Sequence, residues 1–192
     1  SLCGVKKHVY IGLREGGVYM RYSENCRQLF LRSAEFVAPM LLGKLLCKKF
    51  TDGTVKKLRI TETEAYCKQD SAAHSFSGKT RSNQSMFMNG GTAYVFNCHG
   101  WQFNIVCGTV NAGEGVLIRG VEGFDGPVKL TKGLNIVKEG VDGTDLLSPQ
   151  STIWIEDDGY EANYRTTVRK LGENKSADTD AQNKKWRFIL TL

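Results

Sequence analysis

The stretch Leu58-Arg59-Ile60-Thr61-Glu62-Thr63-Glu64-Ala65-Tyr66, with Ala72-Ala73-His74 just after it, gathers two carboxylates, a phenol and an imidazole within a short span. Read as a strand, it places Leu58, Ile60, Glu62, Glu64 and Tyr66 on one face and Lys57, Arg59, Thr61 and Thr63 on the other. The first face starts apolar and therefore turns inward, carrying both carboxylates with it; the second reads as a solvent face. A carboxylate taken out of water rises in proton affinity, and one tuned that way can serve as a general base. The pattern does not choose between Glu62 and Glu64. A strand that leaves the core at Glu62, with both glutamates solvated or ion-paired, fits it too. Arg119 sits between Leu117 and Val121 on its own face of another strand, which points to a buried guanidinium paired with Glu64 or Glu62, for chemistry or for structure alone.

The elements that must position these groups read as follows. Val9-Tyr10-Ile11 and Val18-Tyr19-Met20 form two short strands around a turn at Arg14-Glu15-Gly16-Gly17. Ser33 caps a helix from Ala34 to Leu42, kinked at Pro39 and closed by Gly43. A strand from Lys44 to Phe50 turns through a two-residue Asp-Gly loop in Thr51-Asp52-Gly53-Thr54 and returns as Val55 to Glu64. From Cys67 to Ser85 the chain is polar and reads as a long surface loop, whose Lys79, Arg81 and serines suit phosphate oxygens. After an Asn89-Gly90-Gly91 turn, strands Thr92 to Phe96 and Trp101 to Val106 flank a tip at Asn97-Cys98-His99-Gly100. His99 and Trp101 there either wedge into a nucleic-acid groove or decorate an exposed turn. A strand over Glu114 to Glu122, a helix opening at Gly126-Pro127, a strand over Thr152 to Glu156, a mobile charged loop from Glu173 to Lys185 and a last strand at Trp186 to Leu190 complete the reading. The fold class is α+β, a single mixed domain rich in antiparallel strands, over residues 23–192, with residues 1–22 as an N-terminal extension.

Composition narrows the function. Of 192 residues, 41% are hydrophobic, which supports one core, and the net charge of +6 suits a nucleic-acid partner. No apolar run approaches the ~20 residues of a membrane helix, so no membrane association is expected. The first eight residues hold no apolar segment of the kind a signal peptide needs, which points to an intracellular protein. Six cysteines without a Cys-x-x-Cys pair, and three histidines, make a zinc site a poor reading; free thiols in a reducing compartment fit better.

The segment Ile60 to Tyr66, Ala72-Ala73-His74 and Met86-Phe87-Met88-Asn89-Gly90-Gly91-Thr92-Ala93-Tyr94-Val95-Phe96 together resemble the 3-methyladenine (alkyladenine) DNA glycosylase family. Val116-Leu117-Ile118-Arg119, Gly126-Pro127-Val128-Lys129-Leu130 and Trp186-Arg187-Phe188 continue the likeness in the family's order. The resemblance implies a curved sheet with surrounding helices and a protruding β-hairpin that inserts into DNA. It implies a monomeric, monofunctional enzyme, without metal or cofactor, that flips a damaged purine from double-stranded DNA and hydrolyses its N-glycosidic bond. The compartment would be the nucleus in a eukaryote and the cytoplasm in a bacterium. A binding module of the same fold with weakened catalysis is the alternative. By the resemblance, Glu64 activates water and Arg119 helps hold it. Tyr66 stacks on one face of the base and His74 and Phe96 on the other, with Ala72 lining the pocket. His99 fills the vacated stack beside Trp101, while Lys129 and Arg81 meet the backbone. Here His99 replaces the more usual large aromatic, so a weaker or partly charged wedge is expected. The family's pocket asparagine falls at Val106 by ungapped counting, with Asn104 two residues earlier on the same strand face as the substitute.

Overall fold

The architecture was taken from a computed structural model that describes residues 11–14 and 17–191, with side chains from residue 19 onward. Val9, Tyr10 and the Glu15-Gly16 turn lie outside the described residues. The elements in chain order are β1 (Ile11–Arg14), β2 (Gly17–Arg21), α1 (Arg27–Phe30), α2 (Ala34–Leu41), β3 (Leu45–Lys49), β4 (Val55–Tyr66), β5 (Ala93–Asn97), β6 (Trp101–Cys107), β7 (Glu114–Val121), β8 (Phe124–Asp125), α3 (Pro127–Gly133), β9 (Ile153–Asp157), β10 (Asn163–Thr167), α4 (Thr179–Asn183) and β11 (Arg187–Thr191). This is the expected mixed α+β architecture. One antiparallel sheet runs β1-β2-β9-β3-β4-β7-β6-β5, with β11 joining β4 and β10 joining β11.

β4 is the hub. It pairs with β3 through Val55 to Arg59, with β7 from Ile60 onward and with β11 through Glu62, Thr63 and Glu64. Two register shifts against β7 fall on either side of Glu62, the mark of a β-bulge. The bulge and the cover on both faces break simple alternation. Glu62, Thr63, Glu64 and Ala65 are all buried. The expected solvent face fails there: α2 covers it, and Thr63 donates its hydroxyl to the Ala38 carbonyl at 2.9 Å. Arg59 is no free surface cation either, since it pairs with Asp158 at 2.8 Å.

α2 begins after Ser33 as expected, but the Ser33 side chain makes no capping bond. Glu114 of β7 accepts from the Ala34 N–H instead, at 2.9 Å. Pro39 stays inside this eight-residue helix. The β3–β4 turn also differs from the two-residue reading. Phe50 N–H bonds the Thr54 carbonyl at 2.8 Å around a three-residue loop, with Gly53 at φ +84° supplying the left-handed position.

Two segments read as solvated loops are built into the fold. Between β4 and β5, Asn83 donates to the His74 and Gly78 carbonyls at 2.9 and 3.0 Å and accepts from Thr80 N–H at 2.7 Å. A polar side chain that satisfies loop backbone can be buried at little cost, which composition does not reveal. The segment read as mobile, Glu173 to Lys185, contains α4, capped by Asp178 through Ala181 N–H at 2.8 Å. Ala177 and Ala181 pack there against Ala72. β10 went unread, because its exposed residues carry no alternating apolar face.

Gly90, in the turn before β5, is required for space. A Cβ there would lie 2.2 Å from the Phe30 carbonyl oxygen, a backbone atom that cannot step aside. Gly90→Ala is therefore expected to cost about 1–3 kcal/mol, read as a lower midpoint in urea unfolding.

Candidate active site

β4 runs beneath a cleft of about 800 Å³. Its walls come from Tyr66 of β4, His74 of the following loop, Phe96 and Asn104 of the β5–β6 hairpin, Arg119 of β7 and the segment from Lys170 to Ser176. Glu64 lies directly behind Tyr66 and Arg119 and is fully buried. Its Oε1 accepts the Lys170 N–H at 2.8 Å and its Oε2 accepts the Tyr66 hydroxyl at 3.0 Å. Arg119 Nε is 3.5 Å from Glu64 Oε1 and closer, 3.0 Å, to Glu62 Oε1. A carboxylate so held is fixed in direction, and the arginine beside it offers charge to a bound water.

The aromatic walls are preformed. His74 sits on Phe96 with centroids 3.9 Å apart, and its Nδ1 is 3.2 Å from the Tyr94 hydroxyl. Tyr94 in turn stacks on Phe96 at 5.5 Å. Crowding by this wall lowers the His74 pKa, which favours a neutral imidazole able to share a proton with Tyr94. Burial, then the Glu64 charge, push the Tyr66 phenol well above its ordinary range, so it remains a donor to Glu64.

Asn104 and Val106 separate clearly. Asn104 lines the cleft, and its amide donates to the Tyr94 carbonyl at 3.3 Å. Val106 is fully buried with Ala73, Met86 and Tyr94 and does not reach the cleft. The ungapped count points to Val106, but of the two it is Asn104, two residues earlier on the same strand face, that lines the cleft. Asn97 pairs with Trp101 across only Cys98, His99 and Gly100. His99 at the tip is exposed in a left-handed conformation, φ +54°, and borders the cleft mouth with Cys98. Trp101, which flanks the tip opposite Asn97, is partly buried and packs on the main core. Ala72 lines the cleft wall. Lys129 and Arg81 are exposed and do not line the cleft.

Three contributors escaped the sequence reading. The Lys170 to Ser176 segment forms one wall, Arg187 of β11 reaches Glu62 Oε1 at 2.5 Å, and Arg169 clamps the wall from behind. Arg187 carried a signal, standing between Trp186 and Phe188 in a strand; Arg169 carried none, since its partner Asp70 is 99 residues away. Among the described residues no group of His, Cys, Asp and Glu is arranged to hold a metal. No helix there is long and apolar enough to cross a membrane.

Comparison with known proteins agrees with this geometry. Residues 28–125 match the family described as Methylpurine-DNA glycosylase (MPG). A Borreliella afzelii protein named "Putative 3-methyladenine DNA glycosylase" is 36% identical over 179 residues, covering 85% of this chain and 94% of the relative. An Encephalitozoon cuniculi protein named "Probable DNA-3-methyladenine glycosylase" is 33% identical over 184 residues, covering 80% and 83%. A buried carboxylate and arginine under an aromatic cleft, on a chain with these relatives, mark a DNA glycosylase, a hydrolase of N-glycosidic bonds. Within that class the chain belongs to the methylpurine-DNA glycosylase family.

Proposed function

We propose that this protein excises alkylated or deaminated purines, of the 3-methyladenine, 7-methylguanine, hypoxanthine and ethenoadenine class, from double-stranded DNA, and acts as a monomer. The purine leaves the stack and enters between Tyr66 on one side and His74 with Phe96 on the other. A slot of rings binds cationic or electron-poor purines well. Glu64 takes a proton from a water held with Arg119. The water oxygen bonds to C1′, the C1′–N bond breaks, and its electron pair leaves with the base, giving an abasic site. The Glu64 carboxylate also offsets positive charge developing on the sugar. His99 enters the gap in the duplex, and Lys129 and Arg81 contact phosphates. The observation that carries this reading is the buried Glu64, fixed by Lys170 N–H and Tyr66 directly behind the aromatic cleft wall.

Incubation with duplexes that each carry one of the four lesions tests the reading. Free base and an alkali-labile abasic site are expected from at least one. Tighter binding to lesion duplexes with no release from any would make the protein a damage-binding module.

Asn104 offers the control over range. Guanine carries an amino group at C2 that adenine lacks, and a buried amide at the cleft floor leaves it short of room. Asn104→Ala is expected to raise 7-methylguanine release relative to hypoxanthine by about tenfold, near the worth of one hydrogen bond. Val106→Asn, placed in the core, should chiefly reduce stability.

A further inference from the structure

Glu62 takes no part in the chemistry above, yet it is buried and holds two guanidiniums. Its Oε1 lies 3.0 Å from Arg119 Nε and 2.5 Å from Arg187 Nε. The same nitrogens stand 3.5 and 3.9 Å from Glu64 Oε1. Both arginines thus turn to Glu62 first. Arg187 arrives from β11, which pairs with β4 so that Arg187 faces Glu64 and Ile189 faces Glu62. The Arg119 guanidinium makes no hydrogen bond to protein among the described residues beyond these ion-pair contacts, and Arg119 lines the cleft.

We propose that Glu62 and Arg187 are a positioning pair for the reaction proposed above. Glu62 draws Arg119 off Glu64. The fork of Arg119 is then free for the cleft, and Glu64 is free to accept a proton. Arg187 balances the charge that Glu62 adds. Without Glu62, two guanidiniums would close on one carboxylate and favour its ionised form, weakening it as a base. The groups facing Glu64 are Glu62 and Tyr66 on β4, Arg119 on β7, Arg187 on β11 and the Lys170 backbone N–H. Arg169 stands behind Tyr66, neutralised by Asp70. The two glutamates, Arg119 and Arg187 sum to zero charge, so each single neutralisation shifts the balance in a known direction.

The test uses Glu62→Gln, Arg187→Gln and the double variant in the full chain. One arm measures single-turnover release against pH on the lesion duplex the protein excises fastest. The other measures affinity for a duplex bearing a cationic pyrrolidine abasic nucleotide, relative to a neutral tetrahydrofuran one, and needs no turnover. Glu62→Gln should move the acid limb about one unit lower and cut the preference for pyrrolidine roughly tenfold. Arg187→Gln should move both the opposite way, and the double variant should return both near wild type. A merely structural role would lower rate and affinity in all three, with the double variant worst. Shifts in the same direction, no shifts, or a double variant that simply sums losses would overturn the proposal. If wild type releases no base, the catalytic reading fails on its own, while the pyrrolidine comparison still decides the charge arrangement. If Glu62→Gln does not fold, Arg187→Gln and the double variant still supply an opposed and a restored state.

Discussion

Glu64→Gln is expected to lower base release by roughly 10²–10⁴-fold while leaving affinity for a lesion duplex within a few-fold of wild type. The substitution keeps the shape and the fixed donors. A carboxamide oxygen still accepts the Lys170 N–H, which now meets a carboxylate oxygen at 2.8 Å, and the amide group still reaches the Tyr66 hydroxyl. The two lost properties are the ability to take a proton and the negative charge near C1′. Both act in the transition state rather than in binding, so the loss should appear in the single-turnover rate and not in the dissociation constant. Release near the wild-type rate would remove Glu64 as the base. A fall in affinity as large as the fall in rate would mean that the carboxylate mainly holds the site together. The same assay separates Glu64 from Glu62, because Glu62 is held by Arg119 and Arg187 and reaches the cleft only through Arg119, so its loss should change the pH profile more than the maximal rate.

The contrast between these two glutamates shows what the sequence could carry. Period two put both on an inward face, and both are buried. It did not foresee the bulge at Glu62, because the extra residue is set by pairing with β7, far along the chain. Alternation also hid the burial of Thr63, whose cover is α2 rather than a neighbour in sequence. Asn104 and Val106 share a strand face, so parity favoured neither; Asn104 pairs with Tyr94 and lines the cleft, whereas Val106 packs against Ala73 and Met86. Local signals served best where the structure is local, as at the Ser33 start of α2, the strands flanking the tip and Pro127 at the head of α3. They failed where polar residues pair across the molecule. The segments from Cys67 to Ser85 and from Glu173 to Lys185 are rich in Ser, Asn, Lys and Asp, which looks like solvated loop. Here those residues bond to each other's backbone: Asn174 donates to the Ala72 carbonyl at 3.0 Å, and Asp178 N–H donates to the Ser71 hydroxyl at 3.0 Å.

Arg169 is where that blind spot matters most. Its guanidinium is buried, paired with Asp70, and bonded to the Ala65 and Ala181 carbonyls, each at 2.9 Å. It lies between the rings of Tyr66 and Trp186, 4.8 and 5.3 Å from their centroids. Arg169→Met keeps much of the volume but leaves Asp70 as an unpaired buried charge and two carbonyls without a donor. The expected cost is about 3–5 kcal/mol. For a chain of this size that corresponds to a fall of roughly 6–20 °C in Tm, measured by calorimetry or far-UV circular dichroism. Adding Asp70→Asn should recover part of the loss, since the second change removes the stranded charge. Loss of less than 1 kcal/mol in Arg169→Met would show that water replaces the guanidinium and that the pair contributes little. The stability effect has a functional counterpart. The next residue, Lys170, supplies the N–H that fixes Glu64, and Tyr66, held from behind by the guanidinium, is a wall of the cleft. A variant still folded at low temperature should therefore release base more slowly even where it is fully native by circular dichroism. Loosening the clamp frees the carboxylate and the stacking ring together, so the double variant should recover Tm further than it recovers rate.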